Sequence, residues 1–597
     1  MRFFSAPRMT TTDAPGGFLI QYGNMRIRSS RPAVAALLAA FVVSAHPTLL
    51  AADLRSRIEF SDPPLRWLWG GFGFHNAEAS MTAMMTDEFR DERALKSFLE
   101  IAPTYSRVFA GFAKWTKDEM DRFADYYDAT FRVVGTTLYV VPCRMPMITS
   151  DFDYDAYAEN VASNLAYVVK TRGCRRIAFY CATNETSVGP VYAWFTEHGH
   201  WDEYVKLNYA LFRAFRRHDL EIGLMSPDSS GERHIADIER ATKDLREVTE
   251  CYCWHLYDSK AVAGGLENYG RWTNLFSRVV AIAGANRRRI SLGEYGIAGT
   301  YSPASEQGCG GVMRDGRCYS ERFPAEAPLA AITRAEMGLA AMNAGFVNAV
   351  LWTMADYPDP FLGYPGGDTP REIAEHEAKD RAAFALDQNY NKWGVFRWCD
   401  EKRDYSARDD LYTMGYLVKL FRRGSRVLPW TTADATLRAG AVTNPDGSCS
   451  LAVINWGEAK NLELALPVKV DKPLRVYSYD SAHVPRNAFN DLQAASGVVA
   501  ANSDGVVRLS VPAKSMTFLT TDYVDRVPSP VSGLRLEAGV LRWKPSADAE
   551  HRYYRVFRNG EQIASTVATS FSRGLGPTAA VGEFTVRSVD RWGNVGK

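Results

Sequence analysis

The sequence predicts a multidomain chain in which an eight-fold α/β barrel is followed by an all-β sandwich and then by a second, smaller β-sandwich. Length is the first observation behind this: 597 residues are more than one ordinary domain holds. The second is rhythm. From about residue 60 to residue 425, short apolar runs alternate with longer amphipathic stretches, the pattern of strands each followed by a helix. The third is a change of texture near residue 424, and another at Val527-Pro528-Ser529-Pro530, beyond which strand-like runs are parted by turn residues.

Composition narrows the function classes. Hydrophobic residues are 46% and charged residues 23%, as in soluble globular proteins, which excludes global disorder. Lys plus Arg number 70 against 69 Asp plus Glu, so the chain as a whole has no field to attract nucleic acid or an anionic membrane. Aromatics reach 12%, which suits both a surface for flat, hydroxylated ligands and ordinary core packing.

Residues 1–52 read as a signal peptide region. Arg26, Arg28 and Arg31 precede the apolar run Pro32 to Val43, and the small residues Ala51-Ala52 follow. A basic flank, an apolar centre and small residues make a secretory signal peptide; the other reading of the run is a membrane anchor. Met25 stands just before the basic flank and is a second place for the chain to start. The expected location is secreted, extracellular or periplasmic. No run after residue 55 is long and apolar enough for a transmembrane helix, so no membrane span is expected in the mature chain. Export permits disulfides, and Cys309 and Cys318 enclose a glycine-rich stretch that can close as a small loop. Cys251 and Cys253 lie two apart in an apolar run and so face one side of a strand. With no second Cys or His pair at ligand spacing, they make no zinc site.

Residues 53–425 carry the barrel pattern. The strand-like runs are Trp67–Phe74, Tyr105–Phe109, Thr137–Val141, Arg176–Cys181, Glu221–Met225, Val248–His255, Arg289–Glu294 and Val347–Thr353. Helical stretches between and after them include Asp91–Glu100, Tyr154–Thr171, His200–Arg217, Leu266–Ala283, Ala327–Asn343 and Asp409–Arg422. In Tyr154–Thr171, Tyr157, Val161, Leu165 and Val168 recur at helical spacing. Strand and helix in regular alternation close into a parallel (TIM) barrel. The rival, an open doubly wound sheet, lacks any G-x-G-x-x-G or Walker-type loop to support it. Residues 426–524 read as a β-sandwich, with turns at Asn444-Pro445-Asp446-Gly447 and Asn502-Ser503-Asp504-Gly505. Residues 525–597, with an Asn559-Gly560 hairpin turn, Trp543 and Tyr553-Tyr554, look like a fibronectin type III module.

In such a barrel the active site forms at the C-terminal ends of the strands. The fourth run ends in Ala182-Thr183-Asn184-Glu185 and the seventh in Gly293-Glu294-Tyr295-Gly296. Two carboxylates across one pocket are what cleavage of a glycosidic bond needs: one protonates the leaving oxygen, the other attacks or activates water. Arg107 lies in the second run and can hold a carboxylate ionised. His255 and Tyr257 end the sixth run, Trp352 the eighth, and His75 and Asn76 the first. Each alone has a plain alternative: a helix-capping Glu, a structural Arg pair, a satisfied core His, a core Trp. Together, in barrel order, they define a site. Asp228, Asp258, Asp356 and Tyr357 also lie beyond strand-like runs, where nothing separates them from solvated loop residues.

These residues resemble the clan A glycoside hydrolases, the retaining (β/α)8 group, and most of all families 5 and 39. The segments that carry the resemblance are SRVF (106–109), ATNE (182–185), CWHLYD (253–258), LGEYG (292–296) and LWTMADY (351–357), and it covers roughly residues 60–522. The strand-one segment GFGFHN, the insert 300–325 and the loop 356–393 match no family pattern. The resemblance implies a secreted glycosidase acting on an oligo- or polysaccharide, β-linked, with no metal or organic cofactor. It implies that Glu185 is the general acid/base and Glu294 the nucleophile, that Asn184 binds a sugar 2-hydroxyl, and that Arg107 and Tyr257 hydrogen-bond the nucleophile. His255 would line the sugar pocket and Trp352 would stack under the sugar; His75, from its place at the end of the first run, is read as a substrate contact or a packing residue. The competing expectations are a non-catalytic carbohydrate-binding protein on the same scaffold, an adhesive surface protein with the last module as spacer, and a transglycosylase.

Overall fold

The structure is a computed structural model. It describes residues 56–76, 94–142, 148, 151–187, 195, 199–258, 260–297, 327–355, 394–396, 406–467, 470, 472–572, 575 and 581–597, with the backbone of short strands between 302 and 319 and at 357–358 and 390–391.

Eight parallel strands close into a barrel. They are β1 (Phe72–Asn76), β2 (Tyr105–Phe109), β3 (Thr137–Val141), β4 (Ile177–Cys181), β5 (Gly223–Ser230), β6 (Thr249–Tyr257), β7 (Arg289–Gly296) and β8 (Ala349–Leu351). Their inward side chains, among them Tyr105, Phe109, Tyr139, Cys181, Met225, Cys251, Cys253 and Val350, fill the barrel with one buried cluster, so the interior is a packed core and not a pore. Cys251 and Cys253 do face the same side of their strand and are free thiols. The Cys309–Cys318 pairing lies outside the described residues.

The helices cover the outer faces for sequence reasons. In Trp201–Arg217 the buried residues Trp201, Tyr204, Leu207, Asn208, Leu211, Ala214 and Phe215 repeat at helical spacing. Helix Lys117–Ala129 begins with a capping box, in which the Thr116 hydroxyl accepts from the Glu119 N–H and the Glu119 carboxylate accepts from the Thr116 N–H. The stretch Tyr154–Thr171 is α-helical only to Ala166 and then widens to a π-helix.

Several strand limits differ from the sequence reading by a residue or more, and two of the differences matter most to the site. β1 starts later than expected and runs on through His75 and Asn76. β5 runs on past Met225 through Ser-Pro-Asp-Ser-Ser. Polar residues and a proline in that stretch read as a loop, yet they are strand here because the barrel interior supplies partners for their side chains.

Beyond the barrel, a six-stranded antiparallel sheet and a four-stranded sheet enclose a second core of Leu437, Leu451, Val453, Leu462, Leu464 and Leu519. The four-stranded sheet takes in Ser56–Phe60, parallel to Lys460–Ala465 and antiparallel to Trp430–Thr432. The segment expected to open the barrel region thus gives its first strand to the sandwich. From Arg535 onward, two three-stranded antiparallel sheets share the buried residues Leu541, Trp543, Tyr554, Val556, Phe584 and Val586.

Candidate active site

At the C-terminal mouth of the barrel the structure brings together Glu185, Glu294, Asn184, Arg107, His255, Tyr257, Trp352 and His75. Glu294 sits in β7, 2% exposed. Its Oε1 accepts from the Arg107 Nη1–H and its Oε2 from the Tyr257 hydroxyl. Arg107, on β2, is completely buried. It also donates to Asn184 Oδ1, to Asp228 Oδ2 at 3.1 Å and to His75 Nδ1 at 3.0 Å. Glu185 follows β4 in a left-handed conformation (φ 43), and its own N–H donates to Asp228 Oδ2 at 3.3 Å. This backbone turn brings the Glu185 carboxylate towards Glu294. One oxygen of each, together with a His255 nitrogen, lie within 4.8 Å of one another.

His255 stands between the two glutamates. Its Nδ1 is 3.2 Å from Glu185 Oε1 and 3.7 Å from Glu294 Oε2. Its Nε2 is 3.0 Å from Asp228 Oδ1. Trp352 is partly exposed, stacks on the His75 ring at 4.2 Å and meets Phe109 edge-on at 5.7 Å. His75, Arg107 and His255 are fully buried and turned towards other side chains. They build the floor that holds the glutamates, whereas Glu185, Tyr257 and Trp352 keep some exposure.

Burial and neighbouring charge set the protonation states. Burial raises the Glu294 carboxyl above its ordinary value; Arg107, His255 and the Tyr257 hydroxyl oppose that rise, and Glu185 adds to it. For His255, burial works against the charged ring, but Asp228 and Glu294 outweigh it and hold the imidazole up to about 10. His75 goes the other way: burial and the Arg107 guanidinium hold it well below the ordinary histidine value, which fits a neutral ring accepting from Arg107 at Nδ1. The sets Asp228, Cys253, His255 and Glu185, His255, Glu294 have ligand atoms near enough for a metal ion. In the structure Asp228, His255, Glu185 and Glu294 are joined to one another or to the Arg107 guanidinium by hydrogen bonds and ion pairs.

Sequence reasoning left Asp228 among solvated loop residues. It is fully buried in β5 and bonded to Arg107, His255, Tyr139 and the Glu185 backbone. Its one sequence signal is an acid three residues beyond an apolar run, after Ser226 and Pro227. Asp258, by contrast, is held by the Trp272 indole N–H at 2.6 Å and by Arg271, and helps fix the loop after β6. Asp356 and the Tyr357 side chain lie outside the described residues.

Gly293 is required by close approach. A Cβ there would stand 2.3 Å from Cys253 Sγ and 3.0 Å from His255 Nε2. Gly293→Ala is therefore expected to destabilise the fold by about 1–3 kcal/mol through overpacking and to lower kcat by displacing His255. Thermal unfolding and turnover measured side by side check this.

No family model matches the chain. Several solved structures are similar in fold. A bacterial orthologue of human α-L-iduronidase aligns with a TM-score of 0.52 at 15% identity over 91% of this chain and 98% of that one. The GH51 arabinofuranosidase from Xanthomonas axonopodis pv. citri aligns with a TM-score of 0.52 at 11% identity, over 78% and 99%. GH30 xylanase C from Talaromyces cellulolyticus gives 0.50 and 14%, over 78% and 99%. The fold shared with these proteins is an eight-stranded parallel barrel followed by a β-sandwich.

Proposed function

We propose that the chain is a retaining glycoside hydrolase that cleaves an O-glycosidic bond of an oligo- or polysaccharide by double displacement. The observation that carries this is the pair Glu185 and Glu294, facing each other at the ends of β4 and β7 with carboxylate oxygens within 4.8 Å. Retaining enzymes place their carboxyls about 5–5.5 Å apart, and inverting ones about 6.5–9.5 Å. Glu294, held by Arg107 and Tyr257 on its two oxygens, attacks the anomeric carbon. Glu185, the more exposed of the pair, protonates the leaving oxygen. A covalent glycosyl-enzyme results, and Glu185, now ionised, takes a proton from water that releases the sugar. Asn184 and Trp352 border the glutamates where a sugar 2-hydroxyl and a ring face would lie.

The test is a hydrolysis screen of residues 53–597 on aryl glycosides and polysaccharides, with the anomer first released read by NMR. Aryl β-glycosides are the main arm. An aryl α-L-iduronide is a second, because the iduronidase orthologue aligns over 91% of this chain and residues 1–524 amount to less than that share. Sugar binding without hydrolysis would favour the non-catalytic alternative; products with added acceptor sugars would favour a transglycosylase. Export through a signal peptide within residues 1–52 is part of the same proposal. Among the described residues no helix is long and apolar enough to cross a membrane.

The acid side of the pH profile has a defined sign. Glu294 acts only when ionised, so the rate falls as pH drops through its raised pKa. The Tyr257 hydroxyl opposes that rise. Tyr257→Phe is expected to move the acid limb to higher pH and to lower kcat roughly ten- to a hundredfold, the usual worth of a hydrogen bond to a charged group. An unmoved limb would show that Tyr257 does not govern Glu294.

A further inference from the structure

Asp228 reaches the site through an irregularity in the barrel. Pairing between β5 and β6 shifts register between Pro227 and Ser229, so that Ser226 and Pro227 pair with Tyr252 and Cys253, and Ser229 and Ser230 with Trp254 and His255. Asp228 is the extra residue, and its φ of 58 is left-handed. A bulge of this kind re-aims a side chain and is costly for a residue other than glycine. Here it turns a carboxylate into the barrel, where it is fully buried. Oδ1 receives the Tyr139 hydroxyl at 2.6 Å and His255 Nε2 at 3.0 Å; Oδ2 receives Arg107 at 3.1 Å and the Glu185 N–H at 3.3 Å. Both oxygens are thus satisfied, and each contact goes to a group that supports or belongs to the glutamate pair.

We propose that Asp228 is a positioning residue that locks His255 through Nε2–H as a fixed cation shared by Glu185 and Glu294. The proposal rests on the glycosidase reading of that pair. His255 has no exposed path to a sugar, and its Nδ1–H lies against both carboxylates. During the reaction negative charge moves from Glu294, which becomes esterified, to Glu185, which gives up its proton. A cation within reach of both stabilises the charge at either end of that transfer without moving. A second anion on the far side of the ring favours the doubly protonated form and gives Nε2–H an acceptor. Asp228 is that anion, itself held below the ordinary carboxylate range by His255 and Arg107 against the effect of burial. The titratable and charged groups facing His255 and Asp228 are His75 on β1, Arg107 on β2, Tyr139 on β3, Cys181 on β4, Glu185 after it, Cys253 and Tyr257 on β6 and Glu294 on β7. None but Asp228 places an anion at Nε2.

The test is histidine-ring NMR of residues 53–597, labelled at the ring nitrogens, with the His255 signal identified by its loss in His255→Asn. In the wild type His255 is expected to show both nitrogens protonated from about pH 5 to 8, where an ordinary histidine titrates. In Asp228→Asn it is expected to titrate within that range. On any aryl glycoside the wild type hydrolyses, Asp228→Asn should lose about tenfold or more in kcat, change KM little, and gain an ionisation near neutrality that is absent from the wild-type profile. A wild-type His255 that titrates as an ordinary histidine overturns the proposal, whatever the activity. So does an Asp228→Asn variant that loses only thermal stability and keeps the wild-type pH profile. If the NMR contrast appears and no substrate is hydrolysed, the contact stands and it is the glycosidase reading that fails.

Discussion

Glu294→Gln is expected to lower kcat by roughly 10⁴-fold or more while the protein remains folded. The size follows from its assigned role: a nucleophile removed from a double displacement leaves only binding and the remaining polar groups to act. Folding should survive because the amide is nearly isosteric and Arg107, which is buried without exposure, keeps Asp228 as its anion at 3.1 Å. Glu185→Ala should behave differently. An aryl glycoside with a good leaving group needs little protonation, so Glu294 still attacks, but water is no longer activated and the glycosyl-enzyme accumulates. Intact-protein mass spectrometry would detect it as one added sugar, and the loss in kcat should be about 10²–10⁴-fold. Turnover by Glu294→Gln within tenfold of wild type would falsify the assignment of the nucleophile. Equal losses in both variants with no trapped intermediate would point instead to an inverting pair or to a binding site.

Why some of this was legible in the sequence and some was not is a matter of range. Glu185 and Glu294 each follow a short apolar run, and a barrel converts that local fact into a position at its mouth. His255 and Tyr257 end another such run, and Arg107 lies within one. Asp228 escaped because its strand turns polar after Met225: the bulge that inverts it is fixed by pairing with β6, not by the residues around it. The contacts His75–Arg107 and Asp228–Tyr139 join strands 32 and 89 positions apart, and no periodicity reports them. The clearest case is Ser56–Phe60. Its five residues show weak alternation, and its partner strand begins at Lys460. The pair Lys96 and Glu100 is silent in the same way. Four apart on a helix, they carry nothing in their spacing that reports burial, yet in the fold Lys96 is wholly buried, because later parts of the chain cover it.

That cover leads to the second large effect: removing residues 525–597 is expected to cost the rest of the chain much of its stability. Lys96 donates to Glu100 at 3.0 Å, to Asp491 at 2.9 Å and to the Asn490 carbonyl at 2.8 Å. The last unit completes this cluster. The Tyr553 hydroxyl donates to Glu100 at 3.1 Å, and the Lys96 ammonium lies over the Tyr553 ring at 5.0 Å. Gln562 and Ser565 donate to Asp491 at 2.9 and 3.0 Å, and Arg555 pairs with it at 3.1 Å. Two acids are thereby balanced by two bases, one of them supplied by the last unit. A tethered spacer would leave no charge behind when cut away; here truncation strips Glu100 and Asp491 of partners and uncovers Lys96. Breaking a buried pair by removing one side costs about 3–5 kcal/mol, against a total stability of about 5–15 kcal/mol for a typical domain. Residues 53–524 should therefore unfold at a distinctly lower temperature than residues 53–597, or fail to accumulate in soluble form. Asp491→Ala in the longer chain should reproduce much of the loss, and Tyr553→Phe, which keeps the ring over Lys96, only a small part. A truncated protein with an unchanged melting temperature would mean that the junction contributes nothing and that the last unit is a separable appendage, as the adhesive-spacer alternative requires.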